Sequence, residues 1–152
     1  MFKVDQIDHV ELFVPDRHEA ARWYERTLGL VALPEHEDWA ADPGGPLMIS
    51  SDGGRTMLAL FTGEPPRDRP TAGFHLVAFR VDGPNFLAFL EHLKTNPVHD
   101  AAGAEIRSLT PKDHGKAFSV YFNDPWGHEL EVTTYEAGWV RERLGTSNQP
   151  PI

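Results

Sequence analysis

The feature that most constrains this chain is a spacing that occurs twice. His9 stands seven residues before Asp16 on a segment that alternates apolar and polar side chains, and His75 stands seven residues before Asp82 on a second strand candidate, whose face continues through Val77, Phe79 and Val81. The copies lie 66 residues apart (75 − 9), and Phe13 falls over Phe79 at the same offset. Each copy leads into a stretch with helical periodicity. Identity between the halves is otherwise low, so what repeats is the architecture, and a chain of 152 residues holding two such copies predicts one domain of two like modules.

In the first half a strand is expected over residues 7–14, with Val10, Leu12 and Val14 on one face and His9, Glu11 and Phe13 on the other. A helix follows from Arg17, with Asp16 as N-cap, Glu19 three residues on, Gly29 closing it, and Ala21, Tyr24 and Leu28 facing the core. A short strand near 30–33 precedes two more, 46–50 and 56–62, joined by the turn Ser51-Asp52-Gly53-Gly54. Residues 63–72 are rich in proline and charge and read as a linker inside the domain. The order then restarts with a strand over 74–81. The next helix runs from Pro84 with Phe86, Phe89, Leu90 and Leu93 at i, i+3, i+4 and i+7, and Asn96-Pro97 stops it. Strands are expected at 104–109, 117–122 and 128–135, and a short helix at 140–144 in the tail 137–152. Each module thus reads strand–helix–strand–strand–strand, an α+β class.

Composition narrows the function. A formal charge of −9 argues against nucleic acid as a partner, since displacing counterions needs a basic face. The absence of cysteine removes disulfides, thiolate metal sites and thiol nucleophiles, so any metal must be held by imidazole and oxygen. No apolar run suits a signal peptide or a bilayer, which makes a cytoplasmic protein without a membrane partner the expectation.

His9, His75 and Glu131 each fall on an expected strand. Glu129, Glu131, Thr133 and Tyr135 alternate with Leu130, Val132 and Thr134. A polar strand face opposite an apolar one meets water or a wet cavity. If the two modules curl their sheets toward each other, two imidazoles and a carboxylate meet in a cup. That set suits Fe(II) or Mn(II) and leaves coordination positions open; Zn and Ni are the other divalent metals to consider. The competing reading is that a strand histidine is a surface or satisfied core residue, the more so among eight histidines. His18, His36, His92, His99 and His128 read as exposed helix, loop or turn residues, and Glu35-His36-Glu37-Asp38 as solvated charge in a loop. Trp39 and Phe61 are candidates for walling a cavity.

Three segments carry a family resemblance. Ile7-Asp8-His9-Val10-Glu11-Leu12-Phe13-Val14-Pro15-Asp16, followed by Arg22-Trp23-Tyr24 and Leu28-Gly29-Leu30, resembles the opening module of the vicinal-oxygen-chelate superfamily, which includes glyoxalases, bleomycin resistance proteins and extradiol dioxygenases. Gly73-Phe74-His75-Leu76-Val77-Ala78-Phe79-Arg80-Val81-Asp82 resembles the start of its second module. The run Val120-Tyr121-Phe122-Asn123-Asp124-Pro125-Trp126-Gly127-His128-Glu129-Leu130-Glu131 resembles its closing hairpin. The resemblance implies two βαβββ modules in a cupped mixed sheet, a divalent metal held by His9, His75 and Glu131, and a small-molecule substrate. Members of the family often form homodimers. Aligned from Val81, the second ligand position falls on Leu76; aligned by the repeat, it falls on His75.

Within the family, the strand Thr56-Met57-Leu58-Ala59-Leu60-Phe61 lacks the carboxylate that glyoxalase I carries there, which disfavours that activity. Asp113-His114-Gly115 ahead of Asp124-Pro125 is similar to the pattern of catechol-2,3-dioxygenase-like proteins, in which His114 would be the general acid/base. Tyr135 is a second catalytic candidate, placed to hydrogen-bond a ligated substrate. The expectation is an extradiol-dioxygenase-like oxidoreductase acting on a catecholic or oxygen-rich molecule. Two alternatives stay open: a metal-free, ligand-sequestering protein of the bleomycin-resistance kind, and a fosfomycin-type thiol transferase. The last needs a cationic seat for an anion, and Arg107, Lys112 and Lys116 are scattered candidates for it.

Overall fold

The computed structural model describes residues 1, 3, 6–65 and 76–145. The chain divides into two compact units, Met1–Ala72 and Gly73–Ile152, each an α+β unit built on its own sheet.

The first unit runs β1 (His9–Val14), α1 (Arg17–Leu28), β2 (Val31–Ala32), a 3-10 turn (Pro34–His36), α2 (Glu37–Ala41), β3 (Leu47–Ser50) and β4 (Met57–Thr62). Its sheet has the order β1-β4-β3-β2, with β1 parallel to β4 and the other pairs antiparallel. The N-cap of α1 is as the sequence predicts: the Asp16 side chain accepts from the backbone N–H of His18 at 2.8 Å and of Glu19 at 3.0 Å. Gly29 ends the helix at φ 70°, a left-handed conformation that glycine adopts without strain. The buried stripe differs from the expected one. Ala20, Trp23, Tyr24 and Thr27 are buried, with Arg17 at their head, whereas Ala21 and Leu28 are half-buried. Arg17 sets that rotation, because its guanidinium donates to the Ala40 carbonyl at 2.5 Å and to the Gly45 carbonyl, satisfying a cation that would otherwise be buried unpaired. The sequence reads Glu35-His36-Glu37-Asp38 as loop, but residues 37–41 wind into α2, with Glu37 and Asp38 in its first turn where the helix dipole favours acid. The β3–β4 turn is tied by Asp52, whose carboxylate accepts from Ser50 Oγ, Thr56 N and Thr56 Oγ1. Those donors, the Thr56 amide first, hold its pKa down to about 2.

The second unit runs β5 (Val77–Arg80), α3 (Gly83–His92), β6 (Val98–His99), β7 (Glu105–Ile106), β8 (Lys112–Asp113), β9 (Phe118–Asn123), β10 (Glu129–Thr134) and α4 (Ala137–Leu144). The sheet order is β5-β10-β9-β6-β7, with β8 pairing on β9 as well; β5 is parallel to β10. Asp82 caps α3 by accepting from Asn85 N at 2.8 Å. Phe86 and Leu93 are fully buried, and Phe86 and Phe89 meet the rings of Phe118 and Phe122 on β9. Leu130, Val132 and Val120 complete that core. The expected strand at 104–109 shrinks to two residues, since Glu105, Arg107 and Ser108 are exposed and give it no buried face. Val98, fully buried directly after Pro97, seeds β6 instead. Among the described residues no helix is long and apolar enough to cross a membrane.

Candidate functional site

On β1 the alternation puts Leu12 and Val14 in the core and leaves His9 and Glu11 exposed. Register places His9 beside Met57, Glu11 beside Ala59 and Phe13 beside Phe61, with Met48 of β3 next to Ala59. The His9 face is therefore not the uniformly polar one its own strand suggests. Leu33, Met48 and Ala59 form a buried cluster on it, Met57 and Phe61 pack against that cluster, and the Phe13 and Phe61 rings stack at 5.4 Å. Phe61 thus lies in an apolar floor beside the histidine. Trp39, the other expected wall residue, stands on α2 stacked on His36 at 4.3 Å and is 47% exposed.

His9 is held by its neighbours. Nδ1 lies 2.7 Å from Asp8 Oδ2, and Nε2 lies 3.6 Å from Glu11 Oε1. The Asp8 hydrogen bond is the main cause of a raised His9 pKa, opposed by desolvation and helped by Glu11. A carboxylate on one ring nitrogen fixes the tautomer and directs the other nitrogen outward, the arrangement found behind metal-ligating histidines.

In the second unit Leu130, Val132 and Thr134 face the core, and Glu129, Glu131 and Thr133 face the other way. Across the sheet Glu131 pairs with Tyr121 of β9 and with Ala78 of β5. Glu131 is half-buried, and among the described residues its carboxylate has no hydrogen-bond or ion-pair partner. Tyr121 is the site residue that sequence reasoning missed. Its hydroxyl lies 2.9 Å from His114 Nε2, with the two rings perpendicular at 6.2 Å. Counting outward from the hairpin turn finds it, because Tyr121 and Glu131 stand equally far from the centre of that turn. Buried Asp124 fixes the turn by accepting from Trp126 N, His128 N and His128 Nδ1. His128 is thereby a half-buried structural residue rather than an exposed one, and His99 is likewise half-buried, on β6 opposite Asn123.

Glu131, Tyr121 and His114 are thus brought together. Tyr135 is not part of that row: it follows the end of β10, is 62% exposed, and has the Arg80 guanidinium 5.2 Å above its ring. With Arg80, Val81, Asp82, Thr134 and Glu136 it lines a depression of about 420 Å³.

His75 lies outside the described residues; among the described residues no three His, Asp or Glu side chains are grouped to hold a metal ion. The strand that follows His75 carries a correction to the repeat. The 66-residue offset that overlays the two helix caps would put Val77 and Phe79 in the places of Glu11 and Phe13. In the structure Val77 and Phe79 pair with Leu130 and Val132 on the core side, and the Glu131 side belongs to Ala78 and Arg80. Val81 stands between β5 and its cap as Pro15 stands between β1 and its cap, so the two caps align while the strand faces differ by one residue.

The sequence matches the profile of the Glyoxalase/Bleomycin resistance protein/Dioxygenase superfamily over residues 6–132. The Metallothiol transferase FosB of Staphylococcus epidermidis is 24% identical, covering 93% of this chain and 88% of that protein. A variant of the fosfomycin resistance protein FosX of Listeria monocytogenes, solved with Mn(II) and 1S,2S-dihydroxypropylphosphonic acid, superposes with a TM-score of 0.62 at 16% identity over 93% of this chain and all of that one. The oxidase ChaP-H2 superposes with a TM-score of 0.61 at 21% identity, covering 90% of this chain and 99% of the other. At such identities the structural likeness is one of fold.

Proposed function

The chain belongs to the glyoxalase/bleomycin resistance/dioxygenase superfamily, and on that premise we propose that it is a metal-dependent enzyme acting on a small molecule with two neighbouring oxygens, an extradiol-type dioxygenase in kind. The observation that carries this reading is the row Glu131–Tyr121–His114, which sets a carboxylate with no described partner on the same sheet face as an imidazole–phenol pair. The ligands in this reading are His9, His75 and Glu131. Two of them suit the task on what is described: His9 has Nδ1 tied to Asp8, and Glu131 has no competing cation. Fe(II) or Mn(II) bound there would supply a Lewis acid that lowers the pKa of both substrate oxygens. His114 takes up the proton that a substrate hydroxyl releases, and the Tyr121 hydroxyl holds the imidazole in place for it. Within the first unit, the stacked Phe13–Phe61 pair and Met57 give the His9 face apolar surface that suits contact with an aromatic ring.

The relation to FosB favours a second reading, addition of a thiol to a phosphonate epoxide. Against it, Arg107 is engaged by the Lys94 carbonyl at 3.0 Å and lies 3.8 Å from Glu105, so it does not join Lys112 and Lys116 in an anion seat. Incubation of the Fe(II)- or Mn(II)-reconstituted protein with catechol under oxygen, and separately with fosfomycin and a thiol, separates the readings. Oxygen uptake with a ring-opened product supports the first. A fosfomycin–thiol adduct without oxygen uptake replaces it with the second. Tight ligand binding that a chelator leaves unchanged, with no turnover, would make the protein a metal-free sequestering one.

A further inference from the structure

We infer that Arg141, on the C-terminal helix α4, is a positioning residue that holds His114 against Tyr121. The inference rests on the reading of His114 as the proton-transferring group. His114 sits in the loop between β8 and β9, exposed, where little packing fixes a side chain. Arg141 grips that loop on both sides of the histidine. Its Nε donates to Asp113 Oδ2 at 2.8 Å, its Nη2 to Asp113 Oδ1 at 2.8 Å, and Nη2 also reaches the Gly115 carbonyl at 3.2 Å. Asp113 Oδ1 accepts from Gly115 N at 2.8 Å, so the loop closes on itself around His114.

The fork geometry is specific to arginine: a guanidinium matches both carboxylate oxygens, and an ammonium does not. The guanidinium is itself seated, 5.4 Å over the ring of buried Phe118. Phe118 belongs to β9, the strand that carries Tyr121. One strand therefore presents both the seat of the clamp and the hydrogen-bond partner of the histidine it positions. Arg141 is the largest cause of an Asp113 pKa lowered to about 2, so the pair is fully charged at neutral pH. Exposed ion pairs contribute little to overall stability, which makes a stabilising role the weaker account of so ordered an arrangement.

The test uses the full chain with isotope-labelled histidine and tyrosine, and needs no metal. The wild type is expected to show a nuclear Overhauser cross-peak between the His114 and Tyr121 rings and a single tautomer signature for His114. Arg141→Ala is expected to lose both while its melting temperature stays within a few degrees. Arg141→Lys, which keeps the charge and not the fork, should lose them too. Asp113→Asn serves as the second variant if Arg141→Ala fails to fold, with the same loss expected. In the catechol assay Arg141→Ala should lower kcat about tenfold with KM little changed, against a hundredfold or more for His114→Gln. A cross-peak that survives in Arg141→Ala, or that Arg141→Lys keeps, overturns the clamp. Unchanged turnover in His114→Gln overturns both the clamp and the reading beneath it.

Discussion

Replacing two adjacent residues of β10 should have opposite consequences. Leu130 is fully buried between Phe122 and Val77 in the sheet, while Glu131, one residue on, faces the other way and has no described partner. Leu130→Ala removes three buried carbons and leaves a cavity, at a cost of about 3–4 kcal/mol. An unfolding entropy of about 2.1 cal/mol/K per residue gives roughly 0.3 kcal/mol/K for a chain of 152 residues, so the melting temperature should fall by about 10 °C. Glu131→Ala breaks no described hydrogen bond or ion pair and should change stability by no more than about 0.5–1 kcal/mol. Metal retention should divide the other way, kept by Leu130→Ala and lost by Glu131→Ala. Calorimetry and metal analysis on the same preparations read both quantities. If Glu131→Ala melted 10 °C lower, or Leu130→Ala melted like the wild type, the assignment of the two faces of β10 would be wrong.

Three further outcomes follow from particular contacts. Tyr121→Phe should leave the fold intact, since the lost hydroxyl meets an exposed imidazole, and should lower kcat in the catechol assay more than it raises KM. Asp52 and Asp113 both titrate near pH 2 in the folded protein, below the ordinary 3.8, so the stability they contribute is present above about pH 4 and lost as pH falls toward 2; thermal melts of Asp52→Asn and Asp113→Asn across that range should each show a shallower acid decline than the wild type. Gly45→Ala would drive a Cβ into the Trp39 carbonyl oxygen, a backbone atom that cannot swing aside, and should cost more than about 2 kcal/mol, measured by denaturant unfolding.

What was legible in the sequence was whatever local chemistry decides. Asp16 sits one residue ahead of helical periodicity and caps α1, and Asp124 to Gly127 turn the closing hairpin. The helical stripe of α1 was misplaced by a residue because the partners of Arg17, the carbonyls of Ala40 and Gly45, lie far along the chain. The short strands β6 and β8 left no trace because two residues carry no period, and their pairing on β9 is what forms them. The candidate site followed the same division. Glu131 and His114 became candidates through the residues flanking them, but the Tyr121 contact depends on the register of β9 and β10, and the Arg141 clamp on the docking of α4. The repeat misled in one respect, since a spacing that aligns the two helix caps does not align the faces of β1 and β5, which pairing with their own neighbours decides.

The central claim is that this chain holds a divalent metal through His9 and Glu131, with His75 as the third donor. The measurement that meets it most directly is metal content by inductively coupled plasma mass spectrometry, after anaerobic reconstitution with Fe(II) or Mn(II) and desalting. Wild type should be compared with His9→Ala, His75→Ala and Glu131→Ala. The account predicts a single ion per chain in the wild type and its loss in all three variants, each still folded. Full occupancy in Glu131→Ala, or no bound metal in the wild type, would contradict it.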